Sequence, residues 1–365
     1  MRNILSKIPD AFYVFLFFFT FFVLNLTSNF SGPHDSMGYL NDLQKGRDLF
    51  PAHHLLYHYM DFQCLHFLRH IFWHTPDYYL VEMIDTFWGC LGLTVVYRIF
   101  SRRMNMTRME SFFGTAVVAF SFGMWFYCSN IEVYMPPLFF LLFGLYLCMK
   151  DQLQSRDVLL LTFVHCLAVL FHQANVLFAP IVLWKIWDSR KNIPFFRSVA
   201  AYGFTSVVVV GGIYFLIGWW IDGHNSAKDF NTWIRGYTLK TEYWFPFNFS
   251  TLLKALVGWG HAFFGGHFIF RIKFLNAFMN RIFYYHSLDD EAYLVRNLSH
   301  GVALFLLTLT ILVVMLMFFL LARIILNWKI LLARHRRILV PPLLFLVIYS
   351  CFFFFWMPEN LEFWI

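Results

Sequence analysis

Crossing the roughly 30 Å hydrocarbon core of a bilayer takes about 20 mostly apolar residues in a helix. Runs of that kind recur near residues 11 to 26, 79 to 97, 111 to 127, 133 to 149, 158 to 172, 174 to 187, 198 to 220, 300 to 326 and 339 to 356. The expected fold class is therefore all-α, a polytopic membrane protein with about nine transmembrane helices, because a helix satisfies its own backbone where water is absent. Composition supports this: hydrophobic residues are 59%, charged residues 13%, and 49 of the 365 residues are Phe, where a soluble chain carries about 25% charged residues. The net charge of +7 reads as basic loops on one membrane side rather than a polyanion site, so nucleic acid is not an expected partner. Cys64, Cys90, Cys128, Cys148, Cys166 and Cys351 contain no C-x-x-C pair and point to neither a disulfide framework nor a zinc knuckle.

Sidedness follows from the basic residues. The first run, preceded by Arg2 and Lys7 and followed by no small-residue cleavage site, is expected to be an uncleaved anchor. With the N-terminus cytoplasmic, 17 of the 28 Lys and Arg fall in inside segments, among them Arg98, Arg102, Arg103, Arg108, Arg323, Lys329, Arg334, Arg336 and Arg337. The chain then reads as one transmembrane domain over 1–365 with two large outward segments, 27–78 and 221–299. The apolar, Gly-rich stretch 254 to 270, carrying His261 and His267, would turn the basic run 329 to 337 outward if it crossed; it is expected to be re-entrant or interfacial. In 55 to 74, His58, Asp61, His66, Arg69 and His70 fall broadly on one side of a helical projection, as in a helix lying on the membrane surface.

The costly polar residues gather on the outward side. The first outward segment begins Gly32-Pro33-His34-Asp35-Ser36-Met37-Gly38 and continues to Phe50-Pro51-Ala52-His53-His54-Leu55-Leu56-Tyr57-His58. Asp35 is a candidate base, with an N-cap or turn role as the plainer alternative. His53, His54 and His58 are more readily interfacial polar residues than metal ligands, since no zinc-like spacing accompanies them, and no metal site is assigned. Between the third and fourth runs lies Cys128-Ser129-Asn130-Ile131-Glu132-Val133-Tyr134, whose Glu132 is a candidate second acid or a carboxylate favoured by a helix dipole. Glu82 and Asp85 share one helix face near the outward end of the second run. His172-Gln173-Ala174-Asn175 marks the outward tip of a short hairpin, and the aromatic tail Trp356 to Trp364 suits an interfacial belt.

Taken in order, these motifs resemble the GT-C superfamily of polyprenyl-phosphate-sugar-dependent glycosyltransferases, and within it the protein O-mannosyltransferase-like group. The resemblance rests on Asp35-Ser36, on Phe50-Pro51 to Tyr57, on Ser129 to Tyr134 with its Glu-Val-Tyr, and on His172 to Pro180, with the tail from Trp356 to Trp364 as a fifth match. With the intervening runs it covers roughly residues 1 to 190. The sequence departs from the group where relatives often carry Asp-Ser-Gly-Glu, since Met37 and Gly38 follow Asp35-Ser36.

The resemblance implies a multi-pass protein of a cell (inner) or ER membrane, with its active site facing outside or the lumen. Asp35 and Glu132 stand at the family's catalytic positions, and the implied reaction is inverting transfer of a hexose, mannose-like, from a polyprenyl-phosphate donor to an acceptor hydroxyl. The departing phosphate needs hydrogen-bond donors and positive charge, for which Arg47, His53, His54 and His172 are the expected residues, with Tyr134 on the substrate and Lys228, Arg235 and Lys240 as further cations. The donor sugar-lipid and membrane lipids are the expected partners, and a divalent metal is left open. Two alternatives come from other classes. A lipid or solute transporter would place charges at mid-membrane and show internal repeats, and a noncatalytic scaffold would keep the fold without the chemistry.

Overall fold

A computed structural model of the chain describes residues 9–26, 35–236, 238–282, 295–358, 360 and 364. The expected features at Arg2, Lys7, Gly32, Pro33 and His34 lie outside them. The described residues are helical, with no strand and only a bridge between Trp244 and Trp356.

Four helices are long and apolar enough to cross a membrane: Asp77–Arg103, Phe195–Ile221, His300–Leu326 and Trp328–Phe355. A fifth crossing results if Arg108–Ala119 and Phe122–Cys128, bent by 74°, form one broken span. These correspond to expected runs two, seven, eight, nine and three, and they make the chain a membrane protein. The other four runs fold as shorter helices: Asp10–Leu24 (15 residues), Met135–Cys148 (14), Ser155–Phe171 (17) and Ala179–Asp188 (10). At 1.5 Å per residue the longest of these covers about 26 Å, less than the hydrocarbon core. Pro136 and Pro137 hold the start of Met135–Cys148, and Pro180 holds that of Ala179–Asp188, because proline fits the first helical turn and not the interior.

In chain order the helices are α1 (Asp10–Leu24), α2 (Ser36–Lys45), α3 (Tyr57–Ile71), α4 (Asp77–Arg98), α5 (Arg108–Ala119), α6 (Phe122–Cys128), α7 (Met135–Cys148), α8 (Ser155–Phe171), α9 (Ala179–Asp188), α10 (Phe195–Ser206, continued to Ile221), α11 (Ala227–Arg235), α12 (Phe249–Phe264), α13 (Lys273–Ile282), α14 (His300–Leu326) and α15 (Trp328–Phe355). They belong to two compact units. The first is Met1–Phe120, Met124–Glu242 and Val340–Tyr349; the second is Ser121–Gly123, Tyr243–Leu339 and Ser350–Ile365.

In the first unit α4 is the central helix, packed against α1, α3, α5 and α7. Protein covers 67% of its most apolar window, which is why it can carry Glu82, Asp85 and Thr86 at mid-helix. Gly89 permits the close approach of Cys128, whose Sγ would collide with any Cβ added there. Thr86 Oγ1 donates to Cys128 O at 2.6 Å and so holds the end of α6 on α4. Two of the helices before α4 are pinned to its start: Arg69 of α3 grips Asp77 through two hydrogen bonds of 2.8 and 2.7 Å, and Gln44 of α2 donates to the same carboxylate at 2.7 Å. Below them Leu40, Leu43, Leu65, Leu80, Val81 and Ile131 form a common core. Gly46, at φ 61°, ends α2 in the left-handed region where a glycine is least strained.

α3 departs from the surface-helix expectation. Tyr57, His58, Asp61 and Leu65 are its buried residues, while Phe67 and Tyr59 are exposed. His58 and Asp61 thus face inward, and only the later polar residues lie outward.

In the second unit, stretch 254 to 270 falls on α12, a 16-residue helix capped by the Asn248 side chain, which accepts from Thr251 N at 2.8 Å. Two left-handed glycines, Gly265 and Gly266, then turn the chain into the short helix His267–Arg271. A Cβ on Gly265 would come within 2.6 Å of Phe122. No residue in the most apolar window of α14 is buried by the protein.

Candidate functional site

Asp35 immediately precedes α2, the N-cap position, yet its side chain caps nothing. Its carboxylate is exposed, with Oδ2 3.5 Å from the Tyr39 hydroxyl. The next residue, Ser36, is buried and donates from Oγ to Ile131 O at 2.7 Å. That bond joins the first outward motif to the turn containing Glu132. The turn is shaped by its own sequence: Ser129 Oγ and Asn130 Nδ2 donate back to Trp125 O and Phe126 O, closing the end of α6. Glu132 therefore lies ahead of α7, whose N-cap is Tyr134, and not in the helix's first turn.

Pro51 starts a single helical turn, Ala52–His54, held from two sides. Tyr214 of α10 donates its hydroxyl to Ala52 O at 2.7 Å, and Leu56 N donates to Leu170 O at 3.1 Å, near the end of α8. α8 leads into His172, so the second bond sets the two histidine motifs side by side. The rings of His53 and His54 have centroids 3.9 Å apart, and those of His54 and His58 are 5.2 Å apart. Tyr39, one turn after Asp35, sets its ring against His54 (5.7 Å) and His58 (4.8 Å). Tyr134 packs 5.7 Å from His172.

The electrostatics follow from burial. Burial, then the repulsion a charged His53 would meet from His172 and His58 when these are protonated and from Lys240, holds His53 down to about 3. His54, 2% exposed, is held well below the ordinary histidine value by burial and by the same rings. At neutral pH these imidazoles are uncharged.

Beneath the histidines is a group of acids. Tyr57 donates its hydroxyl to Asp85 Oδ2 at 2.9 Å, and the same oxygen accepts the Glu132 backbone N–H at 3.2 Å. Glu132 is 1% exposed. Asp61 is 0% exposed and lies beside the Tyr57 hydroxyl. Burial pushes it up to about 8, so it carries a proton at neutral pH.

Asp35, His53, His54, Glu132, Tyr134 and His172 are thus linked through Ser36, Tyr39, Tyr57 and Asp85. Arg47 is not brought in. It is exposed, with its N–H on Asp42 O, and only its neighbour Asp48 reaches the cluster, through a carbonyl 2.9 Å from His58 Nδ1. Lys240 is near enough to act on His53, whereas Lys228 and Arg235 on α11 are exposed.

Two features escaped the sequence reading. One is the Asp61–Tyr57–Asp85 group; its signal was the i, i+4, i+8 spacing of Tyr57, Asp61 and Leu65, an inward stripe. The other supports His172 from behind. Tyr202 lies 2.9 Å from His165 Nδ1, His165 Nε2 lies 2.9 Å from Asn175 O, and the Asn175 side chain bonds Ala168 O at 2.9 Å and Tyr349 OH at 3.2 Å. Since a carbonyl only accepts, His165 donates from Nε2 and accepts from Tyr202, which fixes the turn after His172 with each of these polar atoms satisfied.

An exposed carboxylate beside buried neutral imidazoles can take a proton from a hydroxyl while ring N–H groups meet an anion. Among the described residues no three His, Cys, Asp or Glu side chains are placed to hold a metal ion. Compared with family models, with curated proteins and with solved structures, the chain matches none.

Proposed function

We propose that the protein is a GT-C-type membrane glycosyltransferase, crossing the bilayer about nine times, that moves a hexose from a polyprenyl-phosphate donor to an acceptor hydroxyl on the outer or lumenal face. The carrying observation is the Ser36 to Ile131 bond, which with Tyr39 gathers motifs spread over 138 residues, from Asp35 to His172, into one group. Asp35 takes the proton of the acceptor hydroxyl as that oxygen attacks the anomeric carbon. The bond from that carbon to the phosphate oxygen breaks, its electron pair stays on the phosphate, and the configuration inverts. His53, His54 and His172 receive the phosphate. Glu132, buried and tied through its N–H to Asp85, orients the substrate side of the site. A positioned base of this kind contributes about 10²- to 10⁴-fold.

One observation favours a transporter instead: Glu82, Asp85 and Asp61 are buried within the first unit, and buried acids mark proton-coupled pathways. Both readings meet one experiment. The purified chain in lipid vesicles is given prenyl-phosphate hexoses carrying a labelled sugar, with hydroxyl acceptors. Transfer predicts label leaving the prenyl phosphate, and loss of that reaction in Asp35→Asn. Label that crosses the vesicle with the sugar–phosphate bond intact would reject the enzyme and support the transporter.

A further inference from the structure

His58 differs from the other histidines in which nitrogen it leaves open. Its Nδ1 lies 2.9 Å from Asp48 O, and because a carbonyl only accepts, Nδ1 carries the hydrogen. In the neutral ring Nε2 is then a bare lone pair. That atom is buried, in a residue 2% exposed, with no hydrogen-bond partner among the described residues. His54, also 2% exposed, has Nδ1 in the same condition. His172 is arranged the other way: its Nδ1 accepts from Ala174 N at 3.3 Å, so the neutral ring offers Nε2–H as a donor. Phosphate oxygens accept and do not donate, so they pair with His172 as it stands and are repelled by the lone pair of His58.

We propose that an anionic phosphate monoester enters this cluster together with a proton, which goes onto Nε2 of His58 and makes that ring a charged donor only while the site is filled. The inference rests on the phosphate site proposed above. The groups facing His58 set the balance: Tyr39 and Asp42 from α2, Asp48 from the turn, His53 and His54 from the Pro51 turn, Tyr57 and Asp61 from α3, with His172 and Lys240 beyond His53. Asp42 and Asp48 favour the charged ring, but burial outweighs them and keeps the empty site neutral. The arriving anion supplies the missing compensation. Unpaired buried nitrogens are otherwise costly, and a neutral empty site does not hold His53, His54 and His58 as mutually repelling cations.

The test is titration calorimetry of the full chain in detergent with farnesyl phosphate, between about pH 7 and 8.5, where a monoester with its second pKa about 6 is already a dianion. Uptake of one proton raises log Kd by about one unit per pH unit. His58→Asn keeps an amide donor for Asp48 O and deletes Nε2, so it is expected to flatten that slope and weaken binding. Farnesyl sulfate, which takes no proton in this range, is expected to keep the slope with the parent chain. A flat slope for farnesyl phosphate overturns the inference and leaves the phosphate site standing. A slope unchanged in His58→Asn, or lost with the sulfate, overturns the placing of the proton on His58. No binding of farnesyl phosphate overturns the site and the inference together. Equal affinity and slope for inorganic phosphate supports the proton uptake and makes the ligand a free anion rather than a lipid headgroup.

Discussion

Ser36 Oγ and Ile131 O, 95 residues apart in sequence, are joined by a 2.7 Å hydrogen bond in which both residues are buried. The bond ties the residue after one candidate acid to the residue before the other. Ser36→Ala leaves the Ile131 carbonyl buried without this donor, at a cost of about 1–3 kcal/mol. The expected result is a lower melting temperature in detergent and a fall in transfer activity beyond that explained by the folded fraction. Unchanged melting and activity would remove this bond from the account.

Asp35→Asn separates chemistry from folding. The Asp35 side chain is exposed and caps no helix, so the substitution should change stability by less than about 0.5 kcal/mol. Turnover should fall about 10²- to 10⁴-fold, since the amide cannot take the proton. Turnover within threefold of the parent would show that Asp35 is not the base.

Asp61 predicts a pH dependence of stability. Burial raises it from the ordinary 3.8 to about 8, so between those values the folded chain holds a proton that the unfolded chain has released. Stability therefore falls as pH rises through that window. Asp61→Asn resembles the protonated form and escapes this loss. Its melting temperature should equal the parent's near pH 4 and exceed it by several degrees at pH 7.5; a variant less stable than the parent at pH 7.5 would mean that Asp61 is ionised in the folded protein.

His53 has the opposite sign. Its folded value of about 3 lies below the ordinary 6.5, so the unfolded chain binds the extra proton and stability is lost as pH falls from about 6.5 toward 3. His53→Asn should flatten the acid limb of the stability curve measured by thermal melting. An acid limb as steep as the parent's would assign it to other groups.

Sidedness is tested by labelling single cysteines. Positions 45 and 240 are expected to react with an impermeant reagent from outside, and position 334, within Arg334-His335-Arg336-Arg337, only after permeabilisation. Positions 45 and 334 reacting from the same side would contradict the orientation drawn from the basic residues.

Hydropathy made the helices legible, and the long spans α10 and α14 lie close to the expected runs because few polar residues interrupt them, whereas α15 begins eleven residues before its run, through the basic stretch Lys329 to Arg337. It did not give the lengths of α1, α7, α8 and α9, since an apolar run says nothing of where Pro136, Pro137 or Pro180 delays the helix, and at 10 to 17 residues these helices are shorter than the bilayer core. Glu132 and His172 could be singled out as polar residues at the ends of apolar runs, a cost that asks for an explanation, and Asp35, His53 and His54 as a carboxylate and a proline-led histidine pair in the first outward segment. Asp61 and Asp85 could not be paired, because their partnership depends on Tyr57 standing between α3 and α4. Arg47 was expected from charge alone, and charge does not say which way a loop points.

One site, lined by Asp35 and the histidines, is proposed to take a lipid-linked phosphate. The most direct measurement is a structure of the full chain in nanodiscs with a prenyl-phosphate hexose bound. The phosphate is expected within hydrogen-bond distance of His172 Nε2 and His58 Nε2, and the anomeric carbon on the side of Asp35. A phosphate seated beside Arg102, Arg103 or Arg334, away from the histidines, would contradict it.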